Sequence, residues 1–215
     1  MIRRNEGEDR KLNDAQSQLP TVLLLGDSIR LGYQPGVTAQ LAGTATVWGP
    51  EANGQDTVTT LAHLDAWLTA VNPAVIHWNC GLHDLKREHR ANGGNGATET
   101  VVPLAQYAEN LTTIIDRIRA HTAAPLIFAT TTPIHEARHA ARGLTFARFA
   151  ADVDTYNNAA RAVCARLYVP VDDLYRVVTD AGGVTLMLPD GTHYTEDGYR
   201  ILGTAVTHAV RPHLR

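Results

Sequence analysis

Cysteine is scarce in this chain: its 215 residues include two, Cys80 and Cys164. Two are too few for a disulfide framework, and both fall in stretches that read as buried, where a free thiol behaves as a small hydrophobe. Long apolar runs are missing as well. Nothing approaches the roughly 18 residues of a membrane span, and residues 1–19 are polar and charged, without the apolar centre of a secretory leader. Neither charge sign dominates. The 19 basic and 22 acidic residues, for a formal net charge of -3, are mixed along the sequence, so there is no electrostatic case for nucleic acid or an anionic membrane as partner. No internal repeat and no domain linker is visible. The expectation is a soluble, cytoplasmic protein acting on a small neutral or weakly charged molecule, with residues 1–19 as a polar extension and 20–215 as one domain. A chain of this length buries roughly 70% of its unfolded surface, enough to support a site without covalent staples.

What is present is alternation. Short unbroken apolar runs at Thr21 to Leu25, Thr44 to Trp48, Val75 to Trp78, Leu126 to Thr130 and Tyr168 to Val171 suit strands buried on both faces of a parallel sheet. Between them apolar residues recur at helical spacing: Val58 to Val71, Leu104 to Ile118, and Phe146 to Leu167. A last helix starts near Thr195 or Glu196, with Thr195 as its cap, and runs through Val210. This pattern predicts a three-layer α/β/α sandwich around a five-stranded parallel sheet, doubly wound as in flavodoxin, with any site at the carboxyl ends of the strands. The stretch Lys86 to Thr100, rich in glycine and asparagine, reads as a mobile loop over that edge.

Two local patterns carry chemistry. Ser28 follows the first strand by three residues, with Gly26 permitting a tight turn, so its hydroxyl and nearby backbone N–H groups arrive at the sheet edge. The plain alternative is a serine that only caps a helix. Near the other end of the chain, Leu188-Pro189-Asp190-Gly191-Thr192-His193-Tyr194-Thr195 places a carboxylate three residues before a histidine. An aspartate held on one imidazole nitrogen fixes the tautomer and leaves the other nitrogen to take a serine proton. A surface turn ahead of a helix is the bland reading of the same residues.

Taken together, the two sites and their spacing resemble the SGNH/GDSL hydrolase superfamily, from Thr21 to Leu202. In that family the serine of Gly26-Asp27-Ser28 is the nucleophile, and the resemblance makes His193 its base and Asp190 the orienting acid. Gly54, in the segment Glu51 to Thr57, is the match for the glycine whose N–H joins the oxyanion hole with the N–H of Ser28. The block usually written Gly-x-Asn-Asp is here Gly81-Leu82-His83-Asp84, with histidine in place of asparagine. An imidazole N–H can serve as an oxyanion donor, so His83 takes that role, with Asn79 as its understudy. Gly198-Tyr199 after the histidine, Tyr156-Asn157 and Val171-Asp172-Asp173-Leu174 look like the family's supporting sequence.

A rival motif is present. His135-Glu136-Ala137-Arg138-His139 matches His-Glu-x-x-His, which on a helix binds zinc with the glutamate as base. No third ligand is evident, so the segment is expected to line the cleft, with no metal and no other cofactor. Asp27, Asn79, His135 and Arg138 are the candidate substrate contacts, and the remaining histidines, His77 among them, carry no spacing signal. The resemblance implies a serine esterase acting on a small-molecule ester, acetylated carbohydrate being the leading class. A thioesterase or lysophospholipase, or a non-catalytic carbohydrate-binding protein on the same fold, is the alternative. For an enzyme of this kind, activity falls as pH drops through the histidine range near about 6.5, because the base must be neutral.

Overall fold

The computed structural model describes residues 19–89 and 97–214, and in it the five apolar runs form one parallel sheet. Its strands are β1 (Thr21–Leu25), β2 (Thr46–Trp48), β3 (Pro73–Asn79), β6 (Leu126–Ala129) and β8 (Val171–Asp172), in the order β2-β1-β3-β6-β8. Every adjacent pair is parallel. Val22 to Leu25 in β1 and Val75, Ile76 and Trp78 in β3 are fully enclosed, as strands covered on both faces require. The helices are α1 (Ser28–Gln40), α2 (Thr57–Ala70), α3 (Leu104–His121), α4 (Glu136–Ala140), α5 (Ala150–Arg166), α6 (Leu174–Asp180) and α7 (Glu196–Val210). The expected three-layer sandwich is therefore present. The chain order reverses between β1 and β3, which opens a crevice at their carboxyl ends, and both the serine turn and the Gly81 to Asp84 turn emerge there.

Three local expectations are corrected, and one helix is added. Lys86 to Thr100 is not all loop: β4 (Arg87–His89) pairs antiparallel with β5 (Ala97–Thr100), and the rest of the expected loop, residues 90–96, lies outside the described residues, as do residues 1–18 of the polar extension. β4 also pairs with β7 (Phe146–Ala147), so the helix expected from Phe146 starts only at Ala150; strand pairing claims the residues its apolar spacing seemed to include. The last strand begins at Val171, because Tyr168 has a positive φ of 54° and is 90% exposed. The helix α1 was hidden by Gly32, Pro35 and Gly36, all poor helix formers. Even so, Ile29, Tyr33, Val37 and Leu41 recur every four residues and are all buried. Gly32 lies directly under the Tyr199 ring, so α1 and α7 pack closely and the two ends of the chain meet. Cys80 and Cys164 are buried and unpaired, and no helix among the described residues is long and apolar enough to cross a membrane.

Candidate active site

Ser28 is the first residue of α1, and its N–H, like the other first-turn donors, has no acceptor within the helix. The helix is capped by Asp27, whose Oδ1 accepts from the Ile29 N–H at 2.9 Å. The turn into it needs Gly26. Its φ is +152°, and a Cβ there would lie 2.2 Å from Asn79 Oδ1.

From the far end of the chain, His193 brings Nε2 to 2.9 Å from Ser28 Oγ, and its Nδ1 lies 2.7 Å from Asp190 Oδ2. Since the carboxylate can only accept, Nδ1 carries the proton and Nε2 is the lone pair facing the serine hydroxyl. The other Asp190 oxygen accepts from the backbone N–H groups of Thr192 and His193, each at 2.9 Å. Partial burial works to raise the Asp190 carboxyl, but these bonds from His193 and Thr192 outweigh it and hold it at about 2. The acid thus stays ionised against its imidazole throughout the pH range of protein function.

The His-Glu-x-x-His segment supports this loop. His135 donates its N–H to the Gly191 carbonyl at 2.8 Å and caps α4 by accepting the Arg138 N–H on Nδ1. Gly191 has φ +70°, and a Cβ there would press on His135 O and the His139 N. His139 is buried, with Nδ1 3.3 Å from Thr192 Oγ1. Glu136 accepts the Ala150 N–H at the start of α5. The two histidines and the glutamate are committed to different neighbours, and among the described residues no group of three or more His, Cys, Asp or Glu side chains is arranged to hold a metal. Arg138 donates to the Val184 and Met187 carbonyls, and with His135 it braces the loop that carries His193.

Two further expected contacts turn out to be buried struts. Asp27 is 1% exposed and Asn79 is 5% exposed, and Asn79 Nδ2 donates to Asp27 Oδ1 at 3.0 Å, which commits one of its two N–H groups to the serine turn. Behind them, the Tyr33 hydroxyl donates to Asn79 Oδ1 at 3.2 Å and lies 3.4 Å from His77 Nδ1, while His77 Nε2 donates to Asp172 at 3.0 Å. Tyr33 and His77 escaped sequence reasoning because a buried network assembled from four elements leaves no spacing pattern.

Gly54 is also corrected. Its N–H donates to the Gly26 carbonyl at 2.9 Å, and a Cβ there would lie 2.7 Å from the same oxygen, so it ties two loops together. His83 keeps its candidacy. Burial pushes its imidazole down to about 4, against the pull of Asp27, so the ring is neutral. Its Nδ1 is buried without a partner, and an unpaired lone pair is cheaper to bury than an unpaired N–H, which leaves Nε2–H as the donor. The adjacent Asp84 is fully buried and accepts both N–H and hydroxyl of Thr57, pinning the turn to the start of α2.

Residues 24–201 match the family model described as the GDSL-like Lipase/Acylhydrolase family. No curated protein matches the sequence. Among solved structures, a lipase/acylhydrolase from Enterococcus faecalis is 23% identical over 92% of this chain and 98% of its own, with a TM-score of 0.73. The acetyl xylan esterase AlAXEase is 17% identical over 88% and 99%, with a TM-score of 0.68. TesA is 21% identical over 90% and 99%, with a TM-score of 0.65. At these identities the structures show the same fold. With the family match spanning most of the sequence, the chain belongs to the GDSL-like lipases and acylhydrolases, enzymes that hydrolyse ester bonds.

Proposed function

We propose that the protein is a serine esterase cleaving small acyl esters, with acetyl esters of carbohydrate as the leading class. The observation that carries this reading is the continuous hydrogen-bonded chain from Ser28 Oγ through His193 to Asp190. Ser28 Oγ attacks the ester carbonyl as its proton passes to His193 Nε2, and Asp190 stabilises the resulting imidazolium. The negative oxygen of the tetrahedral intermediate is met by the Ser28 N–H at the start of α1 and by His83 Nε2–H. Collapse breaks the bond to the alcohol, which leaves with the proton from Nε2. Water then attacks the Ser28 acyl ester by the same sequence in reverse, releasing acid and free serine.

The acetyl preference draws support from the likeness to an acetyl xylan esterase. Labelling with a fluorophosphonate, located on Ser28 by mass spectrometry, tests the nucleophile; absence of the adduct alongside retained sugar binding would replace the enzyme by a carbohydrate-binding protein. Nitrophenyl acetate compared with the octanoate tests acyl length. A steep preference for octanoate moves the activity to the thioesterase or lysophospholipase class.

A further inference from the structure

The small sheet and α4 enclose a groove of about 470 Å³, walled mainly by His139, Leu144, Phe146, Ala147 and Phe149, with Arg148 among the residues that line it. Arg148 is 7% exposed. Its Nε donates to the Leu82 carbonyl at 2.7 Å, immediately before His83, and its guanidinium stacks over the Phe146 ring at 5.0 Å. Among the described residues no carboxylate lies within salt-bridge distance of it, and its two terminal nitrogens make no hydrogen bond to protein. The two terminal nitrogens are not enclosed by protein, so the fork is free to donate to a group that enters beside it. The acids whose field reaches it, Asp27 and Asp190, are bonded to the α1 cap and to His193.

The surroundings add positive charge. Lys86 Nζ sits 5.4 Å from the centre of the same Phe146 ring, and Arg142 is close enough to help depress both His139 and Arg148. Among the described residues, the one acid lining the groove, Glu136, is engaged by the Ala150 N–H. The walls of the groove also brace the reacting groups, since α4 holds the His193 loop through the His135 N–H bond to the Gly191 carbonyl and Arg148 holds the His83 turn.

We infer that Arg148 and the apolar groove beside it form a subsite for a carboxylate carried by the ester substrate, so that the enzyme favours monoanionic over neutral esters. The planar fork accepts a carboxylate through two parallel hydrogen bonds, and the ring of Phe146 holds the fork in place. This inference rests on the esterase reading, and the experiment separates the two. With an anion on the acyl side, monomethyl glutarate is compared with methyl pentanoate; with an anion on the alcohol side, acetoxyacetate is compared with propyl acetate.

For at least one pair, the ratio of kcat/KM, anionic over neutral, should fall by about tenfold or more in Arg148→Gln relative to wild type. Arg148→Lys, which keeps the charge and loses the fork, should lie between. The wild-type ratio should also shrink in about 0.5 M sodium chloride. The pair that responds tells which side of the ester bears the charge. If Arg148→Gln slows all four esters equally, Arg148 merely holds the Leu82 carbonyl and the inference is overturned. Should Arg148→Gln fail to melt cooperatively, Arg148→Lys and the salt response decide, and an unchanged ratio in both overturns it. Loss of fluorophosphonate labelling in the wild type would instead sink the esterase reading.

Discussion

The two sides of the crevice are built differently. On the serine side, the turn after β1 rests on a buried network in which Asp27, Asn79, Tyr33, His77 and Asp172 each have a named partner. On the opposite side, His83 Nδ1, His139 Nε2 and Asp84 Oδ2 are buried with none, and the Arg148 fork is unpaired among the described residues. Satisfied polar groups hold the serine turn in place, whereas unsatisfied ones are a cost to the folded chain.

This contrast can be broken by mutation, the most severe first. Ser28→Ala and His193→Ala should each lower kcat for an acetyl ester by on the order of 10⁶-fold, and Asp190→Asn by roughly 10⁴-fold, with the fold retained by circular dichroism. A residual rate in Ser28→Ala within about tenfold of wild type would move the chemistry elsewhere. On the other side, His83→Ala should cost on the order of 10²- to 10³-fold in kcat with little change in KM, and His83→Asn, which restores the amide donor of the family pattern, should recover most of it. An effect of His83→Ala below about threefold would reduce it to a packing residue.

Removing a strut on the serine side is a different kind of loss. Asn79→Ala strips Asp27 of a buried donor and leaves Tyr33 without its acceptor, so it should destabilise the fold by about 1–3 kcal/mol, read by chemical denaturation. Its smaller loss of turnover should follow the displaced serine turn.

The mildest prediction concerns pH. His83 and His139 are both held down to about 4 by burial, so between that value and the ordinary histidine range the unfolded chain binds more protons than the folded one. Their contribution to stability is complete above about 6.5 and is lost as pH falls toward 4. Asp84, raised by burial to about 6, acts in the opposite sense: its contribution is complete below the ordinary carboxylate range and is lost as pH rises through 6. Melting temperature should therefore fall on acidification, and His139→Gln should reduce the fall. An acid response unchanged in that variant would show that His139 is not the group being titrated.

Much of this could be read from residue order. The buried strands appear as apolar runs because a parallel sheet covered on both faces admits little else, and α2, α3 and α7 appear through their spacing. Ser28, Asp190 and His193 were legible because the resemblance to the GDSL family singled out their two motifs, and each motif sits on a local turn, Gly26 before the serine and Gly191 between acid and histidine. The same local reading misled at Gly54, where a glycine after a strand proved to be a tie to the Gly26 carbonyl, and it gave no sign that His135 and Arg138 brace the His193 loop. Asp27 and Asn79 looked polar and available, and both are buried. The short strands β4, β5 and β7 gave no signal, since two to four residues are too few to show a period.

By itself the sequence determined the strands of the five-stranded parallel sheet and the main amphipathic helices, because strand burial and helix periodicity are local properties of neighbouring side chains, and it pointed to Ser28, Asp190 and His193 through the family its motifs resemble. Only the tertiary structure decided what surrounds them: that His-Glu-x-x-His is a platform, that Asn79 and His77 support the Ser28 turn from below, and that Arg148 holds the His83 turn with its fork unpaired among the described residues. Those facts depend on which groups lie within hydrogen-bond reach across tens of residues of chain, and on which polar atoms burial leaves without a partner.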